Sequence, residues 1–324
     1  MKKLAVGIDI GGTNTVFGLV DRDGNMYAES VIKTGAYPDV DQYFNELFMQ
    51  IQKLTASVDF DVELAGLGIG APNANYYNGT IENAANLIWK GVIPVAERMK
   101  RFFPSIPVIV TNDANAATIG EMIYGGARGM KDFILVTLGT GVGSGFVAGG
   151  KLIYGHDSFA GELGHITINK TGRQCGCGRK GCLETYASAT GIKRTIFKLL
   201  ADETYASEFR DVTYNNLTAE MITHAALKGD PLAIEAFEHT GMMLGLALAN
   251  AVAVTSPEAI FLFGGLAKAG KYIFEPTKRH MEENLLYNFK DKVQLLPSAL
   301  DDKNAAILGA SALVWDSLGA EAGF

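Results

Sequence analysis

The sequence predicts an α/β protein built from two lobes. Three observations carry that expectation. Short apolar runs alternate with stretches of helical spacing along the chain. Two apolar runs, residues 4–10 and 133–138, each break at a Gly/Thr turn and then resume. The length of 324 residues exceeds one ordinary domain.

Each element follows in order. Residues 4–10 read as a strand interrupted at Asp9, and Gly11-Gly12-Thr13-Asn14 is the turn after it. Residues 16–20 and 26–33 are strands joined by the hairpin turn Asp21-Arg22-Asp23-Gly24-Asn25. Residues 40–54 place Tyr43, Phe44, Leu47, Phe48, Ile51 and Leu54 at helical spacing. Residues 64–69 and 108–111 are buried strands, and a helix is expected over 114–124. In the second half, 133–138 is a strand, 139–145 a glycine turn and 146–148 the returning strand. Helices follow at 189–200, 217–227 and 231–255, a strand at 259–263, and helices at 271–285 and 303–317. The repeated strand, turn, strand pattern points to a duplicated lobe architecture.

Composition excludes several classes. Hydrophobic residues at 48% and charged residues at 19% rule out a disordered chain. Lys+Arg 28 against Asp+Glu 35 leaves a net charge of −7, which argues against a partner held by phosphate contacts, such as nucleic acid. The longest apolar stretch, 242–254, contains Asn250 and falls short of the roughly 18–20 residues of a membrane span. With no leader pattern at the start, a soluble cytoplasmic protein is expected.

Three glycine turns follow strands: Gly11-Gly12-Thr13-Asn14, Gly139-Thr140-Gly141 and Gly264-Gly265. Backbone N–H groups in such turns can approach phosphate oxygens, and the hydroxyls of Thr13 and Thr140 add donors. A single turn of this kind is ordinary hairpin chemistry. Asp9 changes the reading, because a carboxylate in an apolar strand is costly to bury unless paired or near a metal. Beside a phosphate turn it points to Mg²⁺ and a nucleotide. The run from Gly265 to Lys271 matches G-x4-G-K, but Tyr272 stands where a P-loop needs Ser or Thr. No G-x-G-x-x-G follows the first strand either, so another fold must hold the phosphates.

All 3 cysteines, Cys175, Cys177 and Cys182, lie behind His165 in the run G-H-x9-C-x-C-G-x2-G-C. Three thiolates and one imidazole make a closed tetrahedral zinc site. A disulfide scaffold is excluded by the odd count and by the closeness of Cys175 to Cys177.

Taken together, Ile8-Asp9-Ile10-Gly11-Gly12-Thr13, Asn112-Asp113-Ala114-Asn115, Leu138-Gly139-Thr140-Gly141-Val142-Gly143, Gly161-Glu162-Leu163-Gly164-His165 and the Cys-x-Cys-Gly-x-x-Gly-Cys-Leu-Glu run resemble the ROK family of bacterial sugar kinases and sugar-responsive repressors. The resemblance spans nearly the whole chain. It implies an actin-like ATPase (ribonuclease H-like) fold with a central cleft. The small lobe would be residues 1–113 plus 302–324, and the large lobe 114–301 with the zinc loop 165–182. It also implies ATP, Mg²⁺, a structural Zn²⁺ and a homodimer.

The same resemblance assigns roles. Asp113 matches the catalytic base that takes the proton of a sugar hydroxyl, expected to be the 6-OH. Taken alone, Asp113 would read as a helix N-cap. Asn86, Asn112, Glu162, His165 and Glu184 match sugar contacts, with one ring nitrogen of His165 on zinc and the other toward a hydroxyl. Many members carry Gly-x-Pro-Gly where this chain has Gly70-Ala71-Pro72-Asn73. Asn73 tolerates the left-handed conformation, and its amide is a further candidate sugar contact. The expected activity is an ATP-dependent hexokinase, with glucose first. N-acetylmannosamine, fructose, allose and N-acetylglucosamine are alternatives. From other classes come a non-enzymatic sugar-sensing regulator and an actin-like filament or chaperone ATPase. The regulators carry a DNA-binding domain ahead of this region, for which a first strand starting near Lys3 leaves no room.

Overall fold

The structure is a computed structural model that describes residues 1–300 and 304–321. The chain runs through β1 (Lys2–Ile10), β2 (Thr15–Val20), β3 (Met26–Ile32), α1 (Val40–Ala56), β4 (Val62–Gly70), β5 (Ala74–Asn75), β6 (Thr80–Glu82), β7 (Val92–Ile93), α2 (Val95–Phe102), β8 (Val108–Thr111) and α3 (Asp113–Ile123). It continues through β9 (Phe133–Leu138), β10 (Val142–Ala148), β11 (Lys151–Leu152), α4 (Glu184–Ala187), α5 (Ala189–Asp202), α6 (Ala219–Leu227), α7 (Pro231–Thr255), β12 (Ala259–Phe263), α8 (Lys271–Asn284), β13 (Gln294–Pro297) and α9 (Ala305–Glu321). Residues 302, 303 and 322–324 of the expected small lobe, with the expected helix start at 303, lie outside the described residues.

Two compact units form. One comprises Met1–Met130, Leu152–Ala160 and Ala299–Phe324; the other comprises Lys131–Lys151 and Gly161–Ser298. In the first, the sheet order is β3-β2-β1-β4-β8. The hairpin strands β1, β2 and β3 are antiparallel, while β1, β4 and β8 are parallel. One face is covered by α1 and α2, whose Tyr43, Phe44, Leu47, Ile51, Val95 and Met99 join the buried strand residues. The other face is paved with glycine. A Cβ on Gly68 would lie 1.8 Å from the Ala310 carbonyl oxygen, and one on Gly7 would lie 2.1 Å from that of Ile307. The glycines therefore let the backbone of α9 lie directly on the sheet. A second, 3-stranded sheet, β5-β6-β7, is carried by the connection between β4 and α2.

The other unit repeats the first sheet's plan, with order β11-β10-β9-β12-β13. Here β9 and β10 are antiparallel, and β9, β12 and β13 are parallel. Its core joins Ile134, Val136, Ile260 and Leu262 of the sheet to apolar residues of α5, α6, α7 and α8. By length and composition α7 could cross a membrane. Its Leu232, Phe237, Leu244, Leu248 and Val252 are instead buried in this core, which explains so long and apolar a helix. One expectation is corrected. Gly143, Ser144 and Gly145 are not part of a turn but lie in β10, because pairing with β9 starts at Val142↔Leu138 and runs without a break to Val147↔Phe133. The ladder's hydrogen bonds outweigh glycine's preference for turns.

Candidate functional site

In the first unit, the carboxyl ends of three parallel strands line up. Asp9 of β1 is level with Gly70 of β4, which is level with Thr111 of β8. Open α/β sheets bind ligands at such strand ends. Asn112 and Asp113 follow at once. The N-cap of α3 is Asn112, whose side chain accepts a hydrogen bond from the Asn115 N–H at 2.7 Å. Asp113 is thus relieved of capping, and its Oδ1 accepts the neighbouring Ala114 N–H at 2.9 Å. The residue is solvent-accessible, yet the protein around the carboxyl strips enough hydration to hold its pKa above the usual range. Asp9 is pushed up to about 7, first by desolvation and then by the negative charge of Asp113. The cost expected for a carboxylate in this strand is present, and a cation or proton would offset it.

The turn after β1 is closed by the Gly11 N–H donating to the Asn14 carbonyl at 3.0 Å. A Cβ on Gly12 would lie 2.3 Å from the Asn86 carbonyl oxygen, so glycine lets the turn and the Asn86 loop touch. The side chains of Thr13, Asn14 and Asn86 are exposed. Asn73 adopts φ 52, the left-handed conformation expected of it. Its amide donates to the Glu82 carbonyl at 3.2 Å, which fixes the loop onto β6. Asn73 and Asn86 therefore both belong to loops of the small sheet.

In the second unit, two of the glycine turns meet. Gly139-Thr140-Gly141 joins β9 to β10, with the Gly139 N–H donating to the Gly141 carbonyl at 3.1 Å. Gly264, at φ 100, sits on the end of β9, where a Cβ would be 2.8 Å from the Leu138 carbonyl oxygen. Gly265 faces open space. The N-terminus of α5 closes on the first of these turns, since the Ala189 N–H donates to the Gly139 carbonyl at 2.8 Å. A helix N-terminus beside such turns favours anions. Glu184 opens α4, and its Oε2 accepts the Val142 N–H at 3.2 Å. Ala189 and Thr190 are absent from the sequence-derived candidates. Their only signal was Ser188, a good N-cap ahead of a helical run.

His165, Cys175, Cys177 and Cys182 converge, with one ligand atom from each within 4.8 Å of the others. Cys175 Sγ is 3.7 Å from His165 Nδ1, and Cys177 Sγ is 3.7 Å from Cys182 Sγ. All three cysteines are free, and the spacing is far beyond the roughly 2.05 Å of a disulfide. It fits a metal: a tetrahedron with bonds of about 2.3 Å to sulfur has S···S edges of about 3.8 Å. Backbone and side-chain N–H groups of Arg179 bring the Cys177 thiol down to about 6. Burial pushes Cys175 up and Cys182 to about 12, so a central dication would be needed to hold all three as thiolates. With Nδ1 toward sulfur, the second ring nitrogen of His165 is left for another partner. Glu162 precedes the 3-10 turn Leu163–His165 and is exposed.

A model described as the ROK family matches residues 5–317. The chain belongs to the ROK family. Its ROK relatives include a glucokinase of Halalkalibacterium halodurans, 34% identical over 95% of this chain and 94% of that one. A xylose repressor of Caldicellulosiruptor bescii is 30% identical over 95% of this chain and 77% of its own length. Among solved structures, a ROK glucokinase from Streptomyces griseus in complex with glucose and AMPPNP is 30% identical, covers 97% of this chain and 99% of its own, and superimposes with a TM-score of 0.79. The fold is thus the actin-like ATPase fold of ROK sugar kinases. Along it, Asp9, the 11–14 turn, Asn73, Asn86, Asn112 and Asp113 belong to the first unit. Thr140, Gly141, Glu162, the cysteine cluster with His165, Glu184, Gly264 and Gly265 belong to the second.

Proposed function

We propose that the chain is an ATP-dependent hexokinase that transfers the γ-phosphoryl group of ATP to the 6-OH of glucose. The observation that carries this is the Asp9 and Asp113 pair at the ends of parallel strands, with Asp113 free of capping duty. The likeness to the glucose- and AMPPNP-bound glucokinase supports the substrate pair. In this reading the sugar 6-OH gives its proton to the Asp113 carboxylate as its oxygen bonds to the γ-phosphorus. The bond from phosphorus to the bridging oxygen breaks, and ADP leaves. The chemistry asks for positioning and charge neutralisation, which one base and a set of backbone N–H groups can supply.

Mg²⁺, when bound, would neutralise charge on the phosphate oxygens, and Asp9 would be the carboxylate that helps to hold it. The 11–14, 139–141 and 264–265 turns offer N–H groups to phosphates. Asn73, Asn86, Asn112, Glu162, His165 and Glu184 would read the sugar hydroxyls. Zinc suits the Cys3His set, because sulfur and imidazole are its preferred ligands, and it would orient the His165 ring toward the sugar. A cytoplasmic homodimer serving glycolysis, with no nucleic-acid partner, completes the reading.

The test is ADP release across a panel of hexoses at millimolar concentration. Turnover with glucose above the other hexoses is expected. No turnover with any hexose would sink the kinase reading, and sugar binding without turnover would favour a non-enzymatic sensor.

A further inference from the structure

We propose that Glu184 is a positioning residue that ties the cysteine loop to the 139–141 turn and sets that turn's shape for a nucleoside triphosphate. The inference rests on the proposed reading of this turn as a phosphate-binding one. Glu184 stands two residues after Cys182, so the chain itself joins it to the cysteine loop. Its Oε2 accepts the Val142 N–H at 3.2 Å. Gly141 makes room for this. A Cβ there would sit 2.3 Å from Oε2 and would push the carboxylate away.

The residues after Glu184 close on the same turn. The Glu184 carbonyl accepts the Ser188 hydroxyl at 2.7 Å, and that hydroxyl accepts the Gly191 N–H at 2.9 Å to cap α5. The Ala189 N–H then holds the Gly139 carbonyl at 2.8 Å, and Thr190 Oγ1 donates to the Thr140 carbonyl at 3.3 Å. On the other side, the Arg173 guanidinium, from within the cysteine loop, donates to the Thr185 and Gly191 carbonyls at 2.8 and 2.9 Å. Segment 184–190 thus clasps the turn from one side and is itself held by the cysteine loop.

The physical consequence concerns ordering. A turn with two glycines in three residues samples many conformations, and binding a triphosphate must select one. A turn already held in that shape spares the ligand this cost. Glu184 also occupies the Val142 N–H, so the turn cannot re-pair through it. A bond to a charged acceptor is among the stronger single contacts, and its loss is expected to weaken nucleotide binding about tenfold.

The experiment titrates AMPPNP with Mg²⁺ into the full chain by calorimetry, without sugar, so that the sugar contact expected of Glu184 does not enter. Glu184→Ala should bind about tenfold more weakly. Glu184→Gln, whose amide oxygen still accepts from Val142, should stay within about threefold. Hydrogen exchange at the Val142 amide should be slow in the native chain and in Glu184→Gln, and fast in Glu184→Ala. If the native chain binds no AMPPNP, the nucleotide reading of the turn itself fails. If the native chain binds and Glu184→Ala binds equally well, the positioning role is overturned. A Val142 amide that exchanges freely in the native chain overturns it too, whether or not the alanine variant folds.

Discussion

Asp113 stands one position inside α3, and Asn112 takes the cap. Asn and Asp are about equally good N-caps, so sequence alone cannot say which of the two adjacent residues does the capping. The motif made Asp113 a candidate base, but its freedom from capping needed the backbone. Glu184 shows a similar limit. The sugar-contact role came from its motif, whereas its bond to Val142 depends on how β10 leaves the glycine turn. Asp113→Asn is close in shape and keeps the oxygen that accepts the Ala114 N–H. It should lower kcat by about 10²–10⁴-fold, the usual worth of a general base, while glucose affinity by calorimetry changes by less than about threefold. A near-native kcat in this variant would remove Asp113 from the base role.

At the scale of elements, legibility followed periodicity. The expected 231–255 helix matches α7, and the 259–263 strand matches β12. Both are long or strongly apolar enough to show one pattern. Seven short elements were not foreseen: β5, β6, β7, α2, β11, α4 and β13. In α2 only Val95 and Met99 are buried, and β13 has just 4 residues that hold their shape by pairing with β12. Such elements are fixed by neighbours rather than by their own pattern. The cysteine loop is the opposite case, because chemistry rather than periodicity announced it. Its fold should depend on the proposed zinc. Elemental analysis is expected to give about one zinc per chain, and a strong chelator should lower both Tm and sugar affinity. Cys175→Ser should reproduce both losses. Zinc-free protein with unchanged Tm and sugar affinity would contradict the link through His165.

At the scale of the whole molecule, the duplication glimpsed in two Gly/Thr turns is realised in two sheets of matching strand plan. Stability of such a chain against acid has an identifiable weak point outside the candidate active site. His239 on α7 is partly buried, and among the described residues its Nδ1 has no hydrogen-bond partner. Its ring lies 5.8 Å from that of Tyr186. Burial first, and then the positive charges of Arg173 and Lys198, bring its pKa from 6.5 down to about 4. Between those values the unfolded chain binds a proton that the folded chain refuses. Stability from this group is therefore complete above pH 6.5 and declines as the pH falls toward 4. His239→Gln removes the titration and keeps a polar side chain. Allowing for partial exposure, the fall in Tm between pH 7 and pH 5 should be smaller in this variant by about 2 °C. Equal falls in both proteins, read by thermal denaturation in matched buffers, would show that His239 does not set the acid limit.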